Sequence, residues 1–329
     1  MASALGARDL FRLFRGLDVG KVNAGSRKPF RFLLCGDPAL VAELRALLLH
    51  GHPDDVVPLD AAACLEAFAI PTPPAADPRE TRVAMFLGRR GDLASANVAS
   101  LRSLGVPIFA ITVDPEALPS GPPAPPAAGT WAEYVVPSLE RDALRGRVFP
   151  HIVTRCKNVE IAVGRRLPAM RETVAAQLTR DAANTALKVA LASAVVDHIP
   201  VVGIVLGAFA SAGDMVAITG IQMMLLLHIE ATYGRDPDVQ RMWQLLPVIG
   251  GGFGWRTIAR ELAGFVPVAG IAIKGAIAYA GTIVVGEGVT FLHEHGRHMN
   301  KAQAAQLYAR TKDDAMTFAR QLIGKLKPR

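Results

Sequence analysis

The chain has 329 residues, of which 51% are hydrophobic and 20% are charged, and its formal net charge is +7. This apolar fraction excludes a disordered or fibrous protein, and the length favours two domains. The net positive charge belongs to residues 1–29 and 297–329, and the rest of the chain is slightly acidic. Aromatic residues make up only 6% and no nucleic-acid motif is present, so we do not expect nucleic acid as a partner.

The three cysteines, Cys35, Cys64 and Cys156, are far apart in the sequence. Their odd number and spacing predict neither a disulfide framework nor a metal module, so we expect no metal and no other cofactor. Arginines interrupt the apolar residues of the amino-terminal segment, which is not the pattern of a signal peptide. The sequence therefore predicts a cytoplasmic protein that is not secreted.

Residues 8–18 have helical periodicity, with an apolar face and three arginines elsewhere on the helix. Within a basic segment 1–27, this pattern is typical either of a short helix packed on the body of the protein or of a helix on a membrane surface.

Residues 28–150 alternate between apolar strand patterns and helical patterns. The predicted strands are 29–37, 55–60, 82–88, 106–114 and 131–137, and the predicted helices are 39–50, 92–104 and one from 139. Alternation of this kind predicts a doubly wound α/β domain with a mostly parallel sheet. The Pro-rich stretches 71–78 and 115–126 are predicted to be loops.

Residues 151–296 carry no strand pattern and contain two long stretches of low charge, 199–229 and 262–286. The two are similar: Pro200 and Gly203 recur as Pro267 and Gly270 at the same spacing, which indicates a duplicated helical unit. We predict an all-α hydrophobic domain over 151–296, followed by a basic helix over 297–329.

The turn after the first predicted strand reads Gly36-Asp37-Pro38-Ala39-Leu40-Val41-Ala42-Glu43. A phosphate loop needs a second glycine, a lysine and a hydroxyl residue, and here Val41, Ala42 and Glu43 stand in those places. The sequence predicts that this turn has lost the groups that hold a nucleotide phosphate.

The layout of residues 8–38, with Lys28-Pro29-Phe30 leading into the first strand and its glycine turn, resembles an Era-type member of the Ras-like GTPase superfamily. The D-x-x-G motif would fall at Asp60, with Ala63 in place of its glycine, and the guanine-reading motif keeps only Asp114. This resemblance implies a GTPase-like fold whose nucleotide site is vestigial at Gly36, Asp37 and Asp114. A flavodoxin-like domain is the alternative.

The carboxy-terminal half resembles the uncharacterised hydrophobic helical domain that is appended to many bacterial Era-like GTPases and occurs in some inner-membrane proteins. The resemblance covers about 155–296 and is carried by 199–203, 214–224, 231–234, 250–261, 266–270 and 278–287. It implies an architecture, a GTPase-like head on a hydrophobic helical body, and no particular activity.

Two groups of polar residues in the helical half have alternative interpretations. Asp214 and Gln222 lie two helical turns apart, and they are either an intramembrane functional pair or a helix cap and a packed amide. His293, His295 and His298 are either metal ligands or residues of a solvated helix end. We expect the structural interpretation in both cases.

These observations favour a non-enzymatic, GTPase-like protein whose helical domain associates with a membrane surface or a helical protein partner, without nucleotide. Asp214 and Lys274 interrupt the two apolar stretches, which indicates shallow or hairpin insertion, or none, instead of two simple spans. The alternatives are a soluble nucleotide-binding regulator or weak NTPase with a non-standard site at Gly36, Asp37 and Asp114, and a homo-oligomeric scaffold.

Overall fold

The computed structural model describes residues 18–52, 58–70, 77, 79–92, 101–117, 131–196, 203–238 and 267–326. The chain divides into two compact units. The first, here called the α/β unit, comprises 23–177 and 231–236, and the second, the helical unit, comprises 1–22, 178–230 and 237–329. The predicted helix over 8–18 lies outside the described residues except for Asp18.

The α/β topology begins with helix α1, continues through five strands and ends in a series of short helices. The elements up to residue 170 are α1 (Val19–Ser26), β1 (Arg31–Gly36), α2 (Pro38–His50), a 3-10 helix (Ala61–Cys64), β2 (Leu65–Ala67), β3 (Thr81–Arg89), β4 (Ile108–Val113), β5 (Trp131–Val136), α3 (Arg141–Arg145), α4 (Phe149–Arg155), α5 (Glu160–Arg166) and a second 3-10 helix (Pro168–Met170). The long helices that follow are α6 (Arg171–Val196), α7 (Gly203–Thr232), α8 (Pro267–His295) and α9 (Lys301–Leu326).

The five strands form one fully parallel sheet in the order β2-β1-β3-β4-β5. The parallel sheet with flanking helices confirms the predicted α/β class. This is the strand order of flavodoxin-like domains. The sequence analysis gave such a domain as the alternative to a GTPase-like domain. The GTPase-like layout itself stays a prediction.

The central strands each contain a continuous apolar run because both faces of the sheet are covered there. Phe32, Leu33 and Leu34 of β1 are fully buried, as are Leu87 of β3 and Ile108 of β4. Burial of each such side chain stabilises the folded state by about 1.5–3 kcal/mol. These apolar runs are why the sequence located β1, β3 and β4 within a few residues.

The second strand was predicted in the wrong place. Residues 58–60 of the predicted strand 55–60 are not a strand, and β2 comes later, where Leu65 pairs with Phe32. Pro58 has no N–H to donate to a sheet, and Asp60 precedes a 3-10 helix. Residues 53–57, the Pro-rich stretches from 71 to 76 and 118 to 126, and most of the predicted helix 92–104 lie outside the described residues.

Close helix packing in the helical unit depends on glycines of α8. A Cβ at Gly275 would lie 2.7 Å from Cδ1 of Leu187, and one at Gly286 would overlap the side chain of Thr179, both of α6. A connection of only five residues, 296–300, joins α8 to α9, which packs along it.

The described parts of the apolar helices are largely buried within the protein. One described segment, Gly275–His295, is long and apolar enough to cross a bilayer, and 67% of its most apolar window is buried. In α7, the side chains of Met223, Leu226 and Ile229 are fully buried. These halves of the two helices therefore form a protein core.

Candidate functional site

The structure brings the predicted residues Gly36, Asp37 and Asp114 to one edge of the sheet. Gly36 ends β1, Asp37 follows it, and Asp114 follows β4, while β3 runs between these two strands. In an open α/β sheet, ligands bind outside the carboxyl ends of the strands where the strand order reverses, which here lies between β1 and β3. We call this place the carboxyl edge.

Gly36 allows the backbones of β1 and β3 to approach each other. Its φ is +113°, and a Cβ at this position would overlap the carbonyl oxygen of Leu87. The same carbonyl accepts a 2.8 Å hydrogen bond from the Asp37 N–H. A side chain at residue 36 would therefore disrupt the end of the sheet, so this glycine has a structural role without any ligand.

The Asp37 carboxylate caps helix α2. Its Oδ1 accepts hydrogen bonds from the N–H groups of Ala39 (2.8 Å) and Leu40 (3.2 Å), and these bonds hold the pKa of Asp37 below its ordinary value. Pro38, the first residue of the helix, has no N–H. The chain's own carboxylate thus uses the backbone donors that would otherwise attract a phosphate at a helix amino terminus.

Two arginines that the sequence reasoning missed complete the carboxyl edge. Arg89 Nε lies 3.6 Å from Asp37 Oδ2, and Arg90 Nη1 lies 4.0 Å from Asp114 Oδ2. Both guanidinium groups are mainly exposed, with 65% and 81% of the side-chain surface accessible. A basic pair directly after a predicted strand was the available signal, but only the fold shows which carboxylates these residues meet.

The carboxyl edge has little reactive chemistry to offer. Its aspartates are occupied by the chain's own groups: Asp37 caps α2, and Asp92 Oδ2 accepts a 2.6 Å hydrogen bond from the Arg89 N–H. The exposed arginine–aspartate pairs contribute little energy. The neighbouring Cys35 is buried, which raises the pKa of its thiol to about 12 and makes it a poor nucleophile. The edge is thus better arranged to hold the strand ends together than to carry out a reaction.

Gln222 in the helical unit is a packed amide. Its Nε2 donates to Oγ1 of Thr282 over 3.3 Å, and that hydroxyl in turn donates to the carbonyl of Ala278. Gln222 is 5% exposed, so this chain of hydrogen bonds satisfies a polar group inside the apolar core. The side chain of Asp214, with which Gln222 was paired in the sequence, lies outside the described residues.

His293 is not part of a solvated helix end, and that interpretation is wrong for this residue. Its Nε2 lies 2.7 Å from Oε1 of Glu230, and both side chains are buried. His295 and His298 are exposed. Within the part of the chain that the structure describes, no three His, Cys, Asp or Glu side chains are grouped so that they could hold a metal ion.

No protein-family model, no curated protein and no solved structure matches this chain.

Proposed function

We propose that this protein is a non-catalytic, GTPase-like protein that acts by binding, and that its helical unit associates with a membrane surface. The observation that supports the first part most strongly is the Asp37 carboxylate, which accepts the N–H groups at the start of α2. In a phosphate loop, those donors would face the nucleotide. Here the Asp37 carboxylate is bound to those donors, and its negative charge repels phosphate.

The absence of nucleotide binding is tested by calorimetry on the full chain with GTP, GDP and ATP. We expect no saturable heat at millimolar nucleotide with Mg²⁺, because the capping carboxylate and the missing lysine remove the attraction for phosphate. A saturable heat that disappears in Arg89→Gln would instead identify the carboxyl edge as a working nucleotide site and would refute this part of the proposal.

The membrane association is supported by the charge pattern of the two apolar helices. The first turns of α7 and α8, 203–213 and 267–273, contain no charged residue, whereas the second halves of both helices are largely buried in protein. Each uncharged stretch is far shorter than the roughly 20 residues needed to span a bilayer. We therefore propose shallow insertion, assisted by the basic ends of the chain on anionic lipid at about 1 kcal/mol per well-placed Lys or Arg.

Flotation with vesicles of phosphatidylcholine and phosphatidylglycerol tests this part. We expect the full chain to float and to stay bound in a carbonate wash, while high salt weakens the binding. Phe209→Glu and Ile271→Glu each place a charge in one of the uncharged stretches. Burial of such a charge in lipid costs about 2.5–3.5 kcal/mol at the bilayer centre. At the shallower depth proposed, each is expected to weaken binding about tenfold.

Leu59→Glu is the matched control, because it adds the same charge at a fully exposed apolar residue of the α/β unit. It is expected to leave flotation unchanged. Circular dichroism of all variants shows whether they keep the wild-type helix content. A wild-type chain that stays with the unbound fraction, or a Leu59→Glu variant that detaches as readily as Phe209→Glu, would contradict the proposal.

A further inference from the structure

A small cavity of the α/β unit lies away from the carboxyl edge. Its volume is about 250 Å³, and it is lined by Arg27, Pro58, Asp60, Arg165 and Arg166. Arg27 precedes β1, and Pro58 and Asp60 precede β2, so the cavity lies at the amino ends of these strands, opposite the carboxyl edge. Arg165 and Arg166, at the end of α5, form the rest of its lining. The cavity is smaller than the usual 300–1,000 Å³ of sites for drug-sized ligands, so it suits a small ligand.

Arg166 forms the rigid wall of this cavity. Its Nε donates to Asp60 Oδ2 over 2.7 Å, its Nη1 to the carbonyl of Lys28 over 2.9 Å and its Nη2 to the carbonyl of Arg27 over 3.2 Å. Its side chain is 10% exposed. These bonds fix a buried guanidinium in one place, and the pairing with Arg166 keeps the pKa of Asp60 below its ordinary value.

Arg27 and Arg165 point to a position for an anionic oxygen. Both meet the same atom, Oδ1 of Asp236, at 3.6 Å and 2.9 Å. Asp236 is 63% exposed and Arg27 is 65% exposed, so water screens this contact and another anion can compete for it. The carboxylate oxygen of Asp236 thus stands where an oxygen of an external anion would be held.

The charges of the cavity are not balanced by its own lining. Three guanidinium groups and one carboxylate line it, and Asp236 adds a second carboxylate next to it. The set therefore keeps a net positive charge. Guanidinium groups bind phosphate and carboxylate through paired hydrogen bonds, and phosphate offers more oxygens to three of them than a carboxylate does.

We propose that this cavity is a binding site for a small phosphate-bearing solute, in which Arg27 and Arg165 hold the phosphate oxygens and Asp236 is displaced. Arg166 contributes its fixed charge without giving up its hydrogen bonds. The site is separate from the carboxyl edge and does not depend on membrane association.

Calorimetry with inorganic phosphate tests the site in the full chain, against chloride at the same ionic strength. We expect saturable binding that is about tenfold weaker in Arg27→Gln, since the substitution removes a charge-assisted hydrogen bond to the phosphate. Asp236→Asn removes the competing carboxylate and is expected to tighten binding by a similar factor. Arg27 is exposed, so its substitution leaves the fold intact, as circular dichroism can verify.

Arg89→Gln is the matched control: Arg89 is also 65% exposed and also paired with an aspartate, but at the carboxyl edge. It is expected to bind phosphate as the wild type does. Absence of saturable heat in both the wild type and Asp236→Asn would overturn the proposal, and so would equal weakening by Arg89→Gln and Arg27→Gln. If Arg27→Gln instead abolishes vesicle flotation, the cavity holds a lipid headgroup and the proposal of a free solute fails.

Discussion

Replacing Gly36 by alanine tests whether this glycine has the structural role that the sheet geometry gives it. Its φ of +113° costs a residue with a side chain roughly 1–2 kcal/mol. The added Cβ also overlaps the Leu87 carbonyl oxygen and would lie 2.8 Å and 2.9 Å from the carbonyl carbon and nitrogen of that residue. Backbone atoms cannot turn away as a flexible side chain can.

The clash adds a second cost. Overpacking in a rigid place costs about 1–3 kcal/mol. Moving Leu87 would also weaken the hydrogen bond that its carbonyl accepts from Asp37, which contributes about 1 kcal/mol. Together we expect Gly36→Ala to lower the free energy of opening of this sheet edge by about 3–6 kcal/mol, a large part of the stability of a typical domain.

Two glycines of the same unit separate the causes. Gly91 has a φ of +95° and nothing within 4 Å of an added Cβ, so Gly91→Ala carries only the conformational cost of roughly 1–2 kcal/mol. Gly25 lies in α1 with nothing within 4 Å of its added Cβ and no positive φ, so Gly25→Ala is expected to gain about 0.5–1 kcal/mol.

Hydrogen exchange measured by mass spectrometry on peptides covering 31–36 and 81–89 reports the free energy of opening locally. From the most to the least stable, the order should be Gly25→Ala, wild type, Gly91→Ala and Gly36→Ala. If Gly36→Ala costs no more than Gly91→Ala, the close approach of the two strands does not depend on this glycine and the reasoning is refuted.

Three further predictions concern single side chains. His293→Ala leaves its buried carboxylate partner without a hydrogen bond and should destabilise the helical unit by about 3 kcal/mol, whereas His295→Ala at an exposed position should change stability little in the same denaturation assay. Because the folded-state pKa of Asp37 is lowered, its stabilising effect is present above its ordinary value of 3.8 and is lost as the pH falls through the folded value. Melting temperatures of Asp37→Asn should therefore lack this part of the acid dependence, and an unchanged profile would argue against the cap. Burial raises the pKa of Cys35 to about 12 and that of Cys64 to about 11, so both thiols should resist iodoacetamide at pH 8 until the chain is unfolded, as measured by mass spectrometry.

The sequence alone was sufficient for much of the α/β unit. The strands β1, β3 and β4 are largely buried on both faces, so each contains a continuous apolar run. The edge strand β5 has Glu133 and Val135 exposed, and it was still located to within one residue. The turn Gly36-Asp37-Pro38 lies where it was predicted, between the strand 29–37 and the helix 39–50. That Asp37 caps the helix was not predicted, although an aspartate followed by proline is a local signal for the start of a helix. Parallel strands then bring Asp37 and Asp114 to one edge.

The tertiary structure decided which residues meet across long separations. Periodicity describes one face of one segment and contains no information about the partner segment. Arg166 and Asp60 are 106 residues apart, and Glu230 and His293 are 63 residues apart, yet each pair is joined by a hydrogen bond of 2.7 Å. The position of β2 was also missed, since a strand of three residues is too short to show a period.

The apolar helices show most clearly that a sequence pattern does not identify what a segment packs against. Their sequences are apolar on every side, and such a pattern is equally typical of a membrane segment and of a protein core. Only tertiary packing shows that Gly275 and Gly286 lie against α6 and that the second halves of α7 and α8 are buried. The sequence thus determined which segments avoid water, and the packing decided that protein, in those halves, is what covers them.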